Sequence, residues 1–142
     1  MYPQVIVSRC RNFLHTLKDS FVEDMSELLS AQRKKKYVRI HESGDFYNQE
    51  YLDKWIQIAN SVNDKKFLAF TKSHMLTFNN IPDNMTVMYS IYPDTYKRLS
   101  GLRKFYTVYK EEVVKNALKC PSECHSCLYC WNGKKDVYTE IH

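Results

Sequence analysis

The sequence predicts a single α/β domain over residues 1–142, with a small, mostly parallel sheet of three to four strands and flanking helices. Three observations lead there. Apolar residues recur at helical spacing over residues 3–29. Short β-branched or continuous apolar runs alternate with helical stretches over residues 37–110, and four cysteines crowd into residues 120–130. Glycine and proline are scarce, 3 and 4 in 142 residues, which disfavours turn-dense sandwiches, collagen-like chains and low-complexity disorder.

Taken in order, Ile6, Cys10, Phe13, Leu14 and Leu17 form one stripe on a helix running from Pro3 to about Lys18. Cys10 on that stripe reads as a small hydrophobe in the core. Asp19 or Ser20 caps a second helix, where Phe21, Met25, Leu28 and Leu29 repeat the spacing. Arg33 to Lys36 then place positive charge at the negative end of its dipole. Residues 1–36 read as a helical hairpin. Tyr37 to Glu42 reads as a strand ending in the turn Ser43-Gly44-Asp45. A helix capped by Asn48 follows, with Leu52, Trp55, Ile56, Ala59 and Val62 on one face. Phe67–Thr71 and Met85–Ser90 have the continuous apolar character of buried parallel strands, and Lys104–Tyr109 makes a fourth. Residues 37–110 are thus a βαβ core, and Glu111 to Lys119 reads as a short helix leading into the cysteines.

The charge of +5 is mild, from 21 basic and 16 acidic side chains. Lys34–Lys36, Lys97-Arg98 and Arg103-Lys104 are short and interspersed, so they read as solvated surface, and nucleic acid is a weak expectation. No apolar run is long enough to span a bilayer, and no charged and then apolar leader opens the chain. The expectation is no membrane and a reducing cytoplasm, where clustered cysteines serve metal or redox chemistry more often than disulfides.

Cys120, Cys124, Cys127 and Cys130 follow the pattern C-x3-C-x2-C-x2-C-W in residues 120–131. Thiolates this close suit one polynuclear centre, a [4Fe-4S] cluster. Zinc is the rival, although it usually takes two ligand pairs with a longer spacer. Free or disulfide-bonded cysteines are a third reading. The first three have the spacing by which radical S-adenosylmethionine enzymes leave one iron open, and Cys130 is available to close it. Cys10 or His125 is the alternative fourth ligand. Tyr129 and Trp131 are placed to cover the centre from water.

Ligands of parallel sheets gather at the carboxyl ends of the strands. There the sequence offers His41, Ser43, Asp45, Thr71, Lys72, Ser73 and Ser90 for a small anionic ligand. Of these, His41, Asp45 and Lys72 are the catalytic candidates: Lys72 to neutralise a phosphate or carboxylate, His41 to move a proton. The plainer alternative is a turn and helix cap at Ser43-Gly44-Asp45, and a backbone bond at Ser90.

Val38 to Phe46 reads V-R-I-H-E-S-G-D-F, Phe70 to Ser73 reads F-T-K-S, and the cysteine run closes in C-L-Y-C-W. With these elements in this order, residues 2–131 resemble the phage-type gene product 88 family, whose members look like a trimmed radical S-adenosylmethionine barrel. The resemblance implies a partial-barrel-like sheet in a phage protein of the host cytoplasm that holds an iron–sulfur centre on Cys120, Cys124, Cys127 and Cys130. It would work in electron transfer or redox chemistry with a redox partner protein. A radical S-adenosylmethionine-like enzyme is one alternative, and a zinc-stabilised binding module for nucleic acid or a protein partner is the other. Members usually begin with a further cysteine-bearing segment, which this chain is expected to lack because Met1-Tyr2-Pro3 corresponds to the family's first long helix, and their first cysteine stands farther from the other three.

Overall fold

In the computed structural model, which describes residues 2–95 and 101–141, all the strands join one parallel sheet that curls into a half-barrel. The α/β class expected from the sequence is present, with six strands rather than three or four. In chain order the elements are α1 (Pro3–Thr16), α2 (Phe21–Ala31), β1 (Tyr37–Arg39), α3 (Gln49–Ser61), β2 (Lys66–Thr71), β3 (Met85–Ile91) and β4 (Arg103–Val108). They are followed by β5 (Leu118–Lys119), α4 (Cys124–Cys127), α5 (Tyr129–Asn132) and β6 (Val137–Glu140). The strands lie side by side as β1-β2-β3-β4-β6-β5. Lys97-Arg98 lies outside the described residues. Among those described, no helix is long and apolar enough to cross a membrane.

The two added strands have a local reason. Glu111 and Asn116 both take positive φ, 71° and 64°, which breaks the helix expected over 111–119 and leaves Leu118–Lys119 extended beside Val137–Tyr138. β6 then slots between β4 and β5. Asp136 fixes that position, because its Oδ1 accepts the Lys104 backbone N–H at 2.8 Å. β1 ends at Arg39 rather than Glu42, although the Ile40 N–H still donates to Leu68 O at 2.9 Å.

The sheet buries both faces. On one, Phe67, Ala69, Met85 and Val87 pack against Phe21 of α2 and Leu52, Trp55, Ile58 and Ala59 of α3. The α3 cap is as the sequence predicts: Asn48 Oδ1 accepts the Tyr51 N–H at 2.8 Å. On the other face, Leu68, Met88 and Val137 are covered by Cys120, Tyr129, Cys130 and Trp131. This face seats Cys120 and Cys130.

Two polar side chains close the helical layer. Lys65 is 1% exposed, and its Nζ donates to the carbonyls of Gln32, 3.0 Å, and Lys35, 2.8 Å, just beyond the end of α2. Asn84 Nδ2 donates to Ala59 O at 2.8 Å and Lys65 O at 3.1 Å, tying the end of α3 to the start of β2. Alanine at Asn84 strands these carbonyls, and a loss of about 2 kcal/mol is expected. Urea unfolding of the variant measures it as a lower midpoint at unchanged slope.

The N-terminal hairpin is corrected. Every residue from 2 to 14 is exposed, Cys10 included, so the stripe of Ile6, Cys10, Phe13, Leu14 and Leu17 is not core. α1 touches the rest through its C-terminal end. Thr16 Oγ1 and Tyr47 OH share a 2.7 Å hydrogen bond, Phe13 sets its ring edge on Tyr47, and His15 Nε2 lies 3.0 Å from Asp24 Oδ2. The reason is that Phe21, Val22, Met25 and Leu29 of α2 already pack into the core with α3, leaving no apolar face for α1.

Candidate metal centre

The cysteine segment is the crossover from β5 to β6, bent by two residues in left-handed conformation. Cys120 continues the line of β5, its N–H donating to Tyr138 O at 2.7 Å. Ser122, with φ 62°, turns the chain, and its N–H points at Cys120 Sγ, 3.4 Å away. Cys124–Cys127 is one helical turn. Leu128, with φ 48°, separates it from the next turn, which carries Cys130 and Trp131.

Three anchors hold the segment on the sheet. Arg103 Nη1 donates to Cys130 O at 2.9 Å, while its Nε and Nη2 both donate to Lys135 O, and its guanidinium lies 5.6 Å from the centre of the Tyr129 ring. Trp131 Nε1 donates to Val38 O at 3.3 Å and its ring meets Tyr37 edge to face. Gly133 closes the last turn, where an added Cβ would overlap the Tyr129 ring.

Burial pushes the Cys130 thiol up to about 11. The charges of Cys120, Cys124 and Cys127 add to the rise, and Arg103 opposes it. Cys10, on the outward arm of α1, is not among the side chains packed on this face, and His125 is exposed within the turn of α4. Among the described residues, no three His, Cys, Asp or Glu side chains are set to hold a metal ion. Sequence reasoning missed Arg103. Its pairing with Lys104 looks like ordinary surface, and only the fold brings it to the Cys130 carbonyl.

The strand-end residues come together in part. Asp45 Oδ1 accepts the Phe46 N–H at 2.7 Å and its Oδ2 the Lys72 N–H at 2.6 Å. Ser73 Oγ donates to Phe46 O, and Thr71 Oγ1 accepts the Ser73 N–H. These atoms fasten the loop after β1 to the end of β2. Lys72 Nζ sits 3.9 Å from the centre of the Tyr92 ring, beside a shallow hollow of about 330 Å³ lined by Asp45, Tyr47, Ser73 and His74. Ser43 is exposed in the turn, where Gly44 supplies φ 98°. Ser90 stands apart, because in register with Phe105 it belongs to the cysteine face of the sheet.

His41 is half-buried. Its Nε2 lies 3.2 Å from Tyr51 OH, its ring rests on Phe46, and its Nδ1 is buried without a partner. Burial lowers its pKa below the ordinary 6.5, with Asp45 partly offsetting the fall. The unfolded chain therefore binds this proton more readily than the folded one, so the contribution is intact above about pH 6.5 and is lost as pH falls below it. Wild type should lose urea stability between about pH 7.5 and pH 5.5 by more than His41→Gln does, and equal losses would show that another group titrates.

The gene product 88 family model matches residues 1–119. The chain belongs to the gene product 88 family. Both V-R-I-H-E-S-G-D-F and F-T-K-S lie inside the match, which stops one residue before Cys120 rather than reaching Trp131. In this gene product 88 protein the match spans the elements from α1 to β5. No curated protein and no solved structure matches the chain.

Proposed function

We propose that this gene product 88 protein binds a [4Fe-4S] cluster through Cys120, Cys124, Cys127 and Cys130 and works in electron transfer or redox chemistry in the host cytoplasm. The observation that carries the reading is the C-x3-C-x2-C-x2-C segment, with Cys120 and Cys130 seated on one face of the sheet. The surroundings suit an anionic polynuclear centre: the Arg103 guanidinium supplies positive charge, and Leu68, Met88 and Val137 supply a dry floor.

A bound cluster would exchange single electrons with a partner. The chain's own residues do the rest. Tyr129 and Trp131 pack beside Cys120 and Cys130 over the apolar floor, and the Ser122 N–H donates to Cys120 Sγ at 3.4 Å. Cys130 must give up its proton on loading, so loading is favoured as pH rises.

Anaerobic purification followed by iron and acid-labile sulfide analysis tests the proposal. A brown protein with broad absorbance near ~400 nm that bleaches with dithionite is expected. A colourless protein carrying zinc would overturn it in favour of a zinc-stabilised module. A second reading rests on the spacing of Cys120, Cys124 and Cys127 above a parallel half-barrel: a cluster with one open iron, taking S-adenosylmethionine.

A further inference from the structure

The described strands all run the same way, so the chain enters each of them at the same end of the sheet. That end is basic. Residues 33–36, 64–66, 83–84, 103–104 and 134–136, which lead into or open β1, β2, β3, β4 and β6, carry ten basic and three acidic side chains. Their excess of seven is larger than the +5 of the whole chain, so the rest of the molecule is net negative. Runs that are short and scattered in the sequence become one surface through the parallel topology.

Hydrogen bonds join these segments. The Lys66 N–H donates to Lys36 O at 2.8 Å and Lys66 Nζ to Asn132 Oδ1, while Asn132 Nδ2 donates to Tyr37 OH at 3.4 Å and Arg103 Nη2 to Lys135 O at 2.7 Å. Two of the cations are already engaged: Lys36 Nζ pairs with Asp64 at 3.1 Å, and Lys65 is buried against backbone carbonyls. Arg33, Lys34, Lys35, Lys66, Lys134 and Lys135 are exposed, and among the described residues none of the six is in an ion pair. Tyr37, with 39% of its surface in water, stands among them with its ring held edge to face on Trp131.

We infer that this end of the sheet binds single-stranded nucleic acid, with phosphates on the lysines and a base stacked on Tyr37. Charge and ring together select that partner. Protein interfaces are depleted of lysine and centre on buried aromatic or aliphatic anchors, whereas five of the six exposed cations here are lysines and the exposed large apolar side chain of these segments is Tyr37. A bilayer surface is met by a helix that sets a row of apolar side chains beside its cations, which one tyrosine does not supply. A duplex keeps its base faces stacked inside, so a ring set among lysines matches a single strand. Binding at this end does not depend on what the cysteines hold.

Fluorescence anisotropy of a labelled oligothymidylate, titrated with the protein over a range of salt, tests the inference. With about four phosphates held, affinity is expected to fall about 50-fold between roughly 50 and 200 mM salt. Lys34→Glu and Lys134→Glu, at exposed side chains far apart in the chain, should each weaken binding about tenfold and flatten its salt dependence. Lys110→Glu makes the same change of charge just past β4, at the opposite end of the sheet, and should leave affinity within about twofold of wild type. Tyr37→Leu should cost about fivefold or more at an unchanged salt slope. All four variants are compared at matching circular dichroism spectra. No binding at low salt, binding indifferent to Lys34→Glu and Lys134→Glu, or an equal loss at Lys110→Glu would overturn the inference. A duplex bound as tightly as the single strand, with no effect of Tyr37→Leu, would overturn it in favour of duplex binding, and salt-sensitive binding to phosphatidylglycerol vesicles without binding to the oligonucleotide would do so in favour of a membrane surface.

Discussion

Cys124→Ala is expected to purify without colour, with iron and acid-labile sulfide reduced to background while the circular dichroism spectrum is kept. Cys124 opens the turn of α4 and is exposed, so removing its sulfur leaves the sheet and both cores untouched. The whole effect then falls on the cluster. Cys130→Ala discriminates between the two readings. If four thiolates close the cluster, this variant loses it as completely as Cys124→Ala does. If one iron is open, colour survives at Cys130→Ala and disappears at Cys124→Ala. Because Cys130 is more buried, its variant also forfeits packing against Leu68, Met88 and Val137, so iron content must be read on protein shown to be folded.

Lys65→Ala is the largest stability effect expected among polar positions, about 3 kcal/mol. The buried stem fills space between the end of α2 and the sheet, and the ammonium satisfies two carbonyls that follow the helix. Alanine removes both contributions at once. Lys65→Met separates them, since it keeps the volume and removes the buried charge along with its desolvation cost, and a loss of about 1 kcal/mol is expected. Denaturant titration of the two variants beside wild type gives the comparison; equal losses would mean that packing contributes nothing at this site.

What the sequence made legible follows from the range of the physics involved. α3 is readable because its cap, Asn48, and its buried face, Leu52, Trp55 and Ala59, are local. β2 and β3 are readable because strands covered on both faces become continuous apolar runs. The stripe on α1 is equally readable, yet its fate is not, because periodicity reports that a face exists and is silent on what covers it. Two-residue β5 is too short to show any period, and two positive-φ residues, Glu111 and Asn116, overrode a helical pattern there. At the cysteines the spacing is local and visible. Arg103 reaches them across the sheet from a position 27 residues before Cys130, which no spacing rule reports.

The order of the sheet sets a timetable for the cysteine segment. β6 lies between β4 and β5, so the strand that seats β5, and with it Cys120, is made after all four cysteines have emerged. While the chain is being synthesised, those thiols pass through a stage in which they are accessible and unanchored. Any delivery of metal and sulfide is easiest in that interval, and once Val137–Glu140 slides into place the segment is clamped against its floor. Under the proposed reading, cluster loading and folding meet in one event, the arrival of a four-residue strand.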